Sequence, residues 1–130
     1  MSTDLWMLVL SAVLCLVLPL PYGVARTTTR GGTAWAFGNR EGDFAFPAWA
    51  GRAERAHRNL IENLAPFAIL VLVAHLTGKA NATTALGAEL FFLGRLLHAI
   101  LYIAGIIYLR TAAFILGTIG EVMILVQLFR

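Results

Sequence analysis

Four predominantly apolar stretches, near residues 5–25, 51–76, 84–109 and 112–129, take up most of this chain. Each approaches or exceeds the ~20 residues that a helix needs to cross a bilayer. Lipid offers no partner to a backbone N–H or C=O, so a spanning segment must satisfy its own hydrogen bonds, as a helix does. Composition agrees. Apolar residues make up 59% and charged residues 13%, against about 45–50% and about 25% in soluble domains. Disorder is excluded, and the composition points away from an ordinary soluble fold toward a bilayer. In 130 residues four spans leave room for loops and five do not. The reading is an all-α, integral membrane four-helix bundle, with residues 1–130 forming a single domain.

The first span is read as retained rather than cleaved. Met1-Ser2-Thr3-Asp4 carries no basic residue, and the apolar run from Leu5 to Ala25 exceeds the ~7–15 residues of a signal-peptide core. Pro19 and Pro21 predict a kink or an early helix end there. Residues 27–51 form a polar, Gly-rich loop whose Trp35, Phe37, Phe44, Phe46 and Trp49 suit a membrane interface. Arg110 and Thr111 are expected to make a tight turn between the third and fourth spans.

The net charge is +3, and the arginines gather between Arg26 and Arg58. Beside apolar spans this reads as orientation by the positive-inside rule and contact with lipid headgroups, not as nucleic-acid binding. Loop 27–51 and the Arg110 turn are thus expected on the cytoplasmic side, with both termini opposite. The single cysteine, Cys15, cannot form an intrachain disulfide. His57 lies off the main polar face and His75 near the far end of its span. The histidines and acids lack metal-ligand spacing, so no metal is expected.

Charges within spans carry the functional signal, since each costs ~2.5–3.5 kcal/mol near a helix centre. Arg55, Arg58, Asn59 and Glu62 fall at i, i+3, i+4 and i+7, one helical face. Arg95, His98 and Tyr102 fall on one face of the third span. At 1.5 Å per residue, counted from Arg52 and back from Leu109, Glu62 lies about level with His98 and Arg95. A Glu62–Arg95 ion pair is therefore expected, with Glu121 as a second possible partner for Arg95. Arg26, Arg55 and Arg58 remain in excess at one mouth, where unpaired guanidinium groups favour a carboxylate-bearing ligand. Gly87, Gly94, Gly105, Gly117 and Gly120 would permit close helix packing.

The run Arg52-Ala53-Glu54-Arg55-Ala56-His57-Arg58-Asn59-Leu60-Ile61-Glu62-Asn63-Leu64-Ala65-Pro66-Phe67 resembles the second-helix signature of the MAPEG family, the membrane-associated proteins in eicosanoid and glutathione metabolism. Gly94-Arg95, His98, Tyr102 and Arg110-Thr111 resemble the third-helix segment of its prostaglandin E synthase and glutathione transferase members. The resemblance implies a homotrimer with glutathione as co-substrate, bound between subunits near the cytoplasmic side. Arg26, Arg55, Arg58, Asn59, Glu62, His98 and Tyr102 would bind it. Arg110, beside the thiol, and Thr111 would be catalytic. A lipophilic electrophile or hydroperoxide would arrive from membrane lipid. The turn at Arg110 is one residue shorter than in the prostaglandin synthase, and no acid of loop 27–51 clearly matches the one found there. The compact, Ala- and Arg-rich form looks bacterial, which implies an inner-membrane, multi-pass protein. The expected function is a glutathione-dependent membrane transferase or peroxidase. The alternatives are a non-enzymatic lipid-binding or scaffold member of the family, or a small proton-coupled transporter using Glu89 and Glu121.

Overall fold

A computed structural model describes residues 1–130. The chain is all helical: α1 (Thr3–Val17), α2 (Pro19–Thr28), α3 (Gly32–Phe37), α4 (Ala48–Leu76), α5 (Ala82–Ala104) and α6 (Ile107–Leu128). Together α1 and α2 form one apolar unit, so four helical units are long and apolar enough to cross a membrane. The break between them falls at Leu18, just before Pro19. Pro19 and Pro21 have no N–H to return to the preceding turn, which is the kink expected from the sequence.

The polar loop contains more structure than its composition shows. After α2 the chain turns through Gly31 (φ 79°) into α3. Trp35, Phe44 and Phe46 then cluster, with ring centroids 4.8–5.8 Å apart. Gly32 is required where it is, because a Cβ there would lie 1.8 Å from the Arg26 carbonyl oxygen. At 29 residues α4 is about 43 Å long, which exceeds a hydrocarbon core of ~30 Å. Its polar first half projects toward the loop.

The core lies where α1, α4, α5 and α6 meet. Phe67 of α4 stacks on Phe91 of α5 at 3.8 Å between centroids, with Val71, Ala88 and Ile124 around them. Toward the loop, Leu18, Ala56, Leu60 and Ala99 form a second cluster. The closest pairing is α5 against α6. A Cβ on Gly94 would lie 2.5 Å from the Gly117 nitrogen, and one on Gly120 would lie 2.3 Å from the Gly87 carbonyl oxygen. These glycines allow backbone-to-backbone approach, as the sequence implied.

One boundary differs from expectation in a way that matters for the site. The third span ends at Ala104, not Leu109, and Arg110 and Thr111 lie in the first turns of α6 instead of a connecting turn. Gly105 is the cause. It adopts φ 83° as the helix C-cap, and its N–H and that of Ile106 close on the carbonyls of the last turn. An apolar run that continues on both sides hides such a stop, since only glycine enters this conformation cheaply.

Candidate functional site

The loop-proximal end of the bundle gathers the ends of α2, α4 and α5 and the start of α6. Arg52 fastens α4 to this end. Its Nε donates to the Ile103 carbonyl at 2.9 Å, a cation at a helix C-terminus. From there α4 presents two faces. Ala53, Ala56, Leu60 and Phe67 are buried against the bundle, while Arg55, Arg58 and Glu62 are exposed on the other side. Asn59 lies at the seam, half-buried. Pro66, inside the helix, leaves the Glu62 carbonyl without its usual N–H partner.

Tyr102 is the hub. The Arg110 guanidinium lies 4.2 Å from its ring centroid and that of Arg55 lies 5.9 Å away. Residues from α4, α5 and α6 thus converge on one phenol, with the two cations attracted to its ring. His98, one turn deeper and only 6% exposed, packs edge-on to Tyr102 at 5.4 Å. Its Nδ1 donates to the Arg110 carbonyl at 2.9 Å. A carbonyl can only accept, so Nδ1 carries a proton. Thr111 Oγ1 donates to the Ile107 carbonyl at 3.3 Å and stays exposed.

The Glu62–Arg95 ion pair is not formed. Arg95, 2% exposed, lies 3.6 Å from Glu121 Oε2, and its Nη1 donates to Asn59 Oδ1 at 3.2 Å. Phe91 and Phe114 flank the guanidinium at 5.1 and 4.5 Å. The physical reason is the face of α4. With α5 ending at residue 104, Arg95 is close in depth to both Asn59 and Glu62. Glu62 lies on the exposed side of α4, whereas Asn59, at the seam, turns toward α5 and takes the bond. The possible second partner, Glu121, is the one used.

Arg26 is held inside the chain. It pairs with Glu54 at 2.8 Å and lies 4.9–5.6 Å from the rings of Tyr22, Trp35 and Phe46. Two polar clusters escaped the sequence reading. His57 is bonded to Tyr22 Oη at 2.8 Å and lies 3.7 Å from Cys15 Sγ, which joins α4 to α1 and α2. At the far end Asp4, 2% exposed, accepts from Ser2 Oγ at 2.5 Å and Thr84 Oγ1 at 3.3 Å. It also lies 2.9 Å from His75 Nε2. The Asn81-x-x-Thr84 capping box is the signal that could have pointed to this clasp. No His, Cys, Asp and Glu grouping suited to a metal ion is present.

No curated protein matches this chain. A sequence profile described as the MAPEG family, by contrast, matches residues 5–130. That span takes in all but the first two residues of the four membrane helices and every residue of the Tyr102 cluster, so the chain belongs to the MAPEG family.

Proposed function

We propose that this protein is a glutathione-dependent membrane transferase or peroxidase acting on lipophilic electrophiles or hydroperoxides. The observation that carries the reading is the placement of Arg55 and Arg110 around the Tyr102 ring, beside the exposed Arg58 and Glu62 of α4. The residues fit a peptide thiol with two carboxylates and one ammonium. Arg55, Arg58 and Asn59 supply donors for the carboxylates. Glu62, free of Arg95, supplies a carboxylate for the ammonium. Glutathione supplies the nucleophilic thiol. Arg110 acts on it electrostatically: a cation beside a thiol lowers its pKa and stabilises the thiolate. His98 holds the Arg110 backbone and thereby the start of α6.

The exposed charged face of α4 cannot rest against lipid. A homotrimer that sets this face against a neighbouring subunit accounts for it, and Arg26 is then shared between Glu54 and the ligand. Most arginines lie at the loop-proximal end, so that end is assigned to the cytoplasm and the protein to a bacterial inner membrane. A second reading, a lipid-binding member without turnover, draws on a groove of about 430 Å³ along α6. It is lined by Phe114, Ile119, Val122 and Val126, with Arg130 at one end.

Calorimetric titration of reduced glutathione into the detergent-purified chain tests the enzyme reading. Wild type binds and Arg58→Ala does not, while Arg110→Ala binds without the ultraviolet thiolate band. Absence of wild-type binding at millimolar glutathione refutes the reading and favours the lipid-binding one.

A further inference from the structure

The chemistry described above makes no use of Glu121. Its side chain is nevertheless placed inside the bundle, 3.6 Å from an arginine that is itself almost wholly buried. A buried ion pair is a poor source of stability, since apolar replacements of similar volume do as well or better. The consequence of this pair lies at its other end. Arg95 approaches Glu121 with Nη2 and donates to Asn59 Oδ1 with Nη1. The guanidinium therefore bridges α6 to α4 from its place on α5.

An asparagine amide has an acceptor end and a donor end of nearly the same shape, and only its neighbours decide which way it turns. A guanidinium has donors alone, so it commits Oδ1 to the interior and turns the two N–H groups of Nδ2 the other way. Asn59 is adjacent to Arg58 and one turn from Arg55. Its free end thus adds donors to a face already rich in them.

We propose that Glu121 is a positioning residue: through Arg95 it fixes the amide of Asn59, so that this point of the site accepts only a hydrogen-bond acceptor, a carboxylate or peptide carbonyl of the bound thiol peptide. The inference rests on the glutathione reading of the same face. Glu121 anchors the far side of the guanidinium. Without it, Arg95 loses its only anionic partner and Asn59 is free to present its oxygen, which repels a carboxylate.

The test uses the full-length protein in detergent. Four proteins are compared: wild type, Asn59→Ala, Arg95→Met/Glu121→Leu, and the triple variant. The paired replacement removes both charges together, so no buried charge is stranded. Glu121→Gln serves as the conservative single change. The paired variant is expected to keep the wild-type melting temperature and oligomeric size, while glutathione affinity falls about tenfold. Adding Asn59→Ala should then cause no further loss, because both changes break one interaction. With an aryl halide as electrophile, KM for glutathione rises while kcat at saturation stays within about twofold. Wild-type-like affinity in the paired variant, or losses that multiply on adding Asn59→Ala, overturns the proposal. The Asn59 side-chain 15N amide gives a readout that needs no ligand. Two proton signals shifted well away from those of a free asparagine amide in wild type, and moved toward them in the paired variant and in Glu121→Gln, support the proposal, and identical signals in all three overturn it. If wild type fails to bind glutathione, the functional reading falls, and this amide signal alone decides whether Glu121 positions Asn59.

Discussion

Replacing Gly94 by alanine tests how far the geometry of the site depends on the α5–α6 contact. The added Cβ would lie 2.5 Å from the Gly117 nitrogen, 2.8 Å from the Ala113 carbonyl oxygen and 2.8 Å from the Gly117 Cα. All three are backbone atoms, so no side chain can swing aside. Ordinary contact is restored only if α6 retreats by about 1 Å. Overpacking of this kind costs roughly 1–3 kcal/mol. The retreat also stretches the 2.9 Å bond from His98 Nδ1 to the Arg110 carbonyl toward ~3.9 Å, where it no longer counts as a hydrogen bond. Arg110 then drifts from Tyr102, and the functional loss should exceed what the stability loss explains. Gly23→Ala is the control. It lies within α2 with nothing within 4 Å of its added Cβ, so it is expected to be neutral or to stabilise by up to about 1 kcal/mol. The assay is thermal unfolding in one detergent, paired with glutathione titration. Gly94→Ala should lower both the midpoint and the affinity, and Gly23→Ala neither. Equal midpoints for Gly94→Ala and wild type would refute the claim that backbone contact at this position sets the helix separation.

Three further outcomes follow from contacts elsewhere in the bundle. Asp4→Ala removes the acceptor of the far-end clasp and leaves Thr84 and His75 without it, so unfolding should come about 1–3 kcal/mol earlier while glutathione affinity is unchanged. A matching loss of affinity would show that the two ends are coupled. Arg52→Gln should loosen the last turn of α5 by about 1 kcal/mol, which faster amide exchange near Ile103 would report. Gly32→Ala places a Cβ 1.8 Å from the Arg26 carbonyl oxygen and should displace α3 from the end of α2, quenching or shifting Trp35 fluorescence. An unaltered Trp35 spectrum would contradict that packing.

Much of this protein was legible in its residues because lipid imposes a simple rule. An apolar run long enough to span must be helical, so the four-unit, all-α architecture followed from hydropathy and length alone. The inward glycines of α5 and α6, the kink at Pro19 and the spacing of Arg55, Arg58, Asn59 and Glu62 on one side of α4 were likewise visible as local patterns. The composition of residues 27–51 marked a polar, aromatic connection but not the helix and ring cluster within it, which depend on contacts with Arg26.

What the residues could not determine was register. Hydropathy runs unbroken through Gly105, so the end of α5 was placed five residues late, and every depth counted from it shifted with it. The pairing turned on the face instead: Glu62 lies on the exposed side of α4, so Arg95 bonds Asn59 and pairs with Glu121. Partner choice among buried charges is decided by which side chains the packed helices turn toward one another, and a polar face on a single helix does not say which part of it a neighbour will cover. Asp4, silent in the sequence as an ordinary polar residue near the terminus, became a buried acceptor for the same reason. The chain brings Ser2, His75 and Thr84 around it only once α1, α4 and α5 have packed.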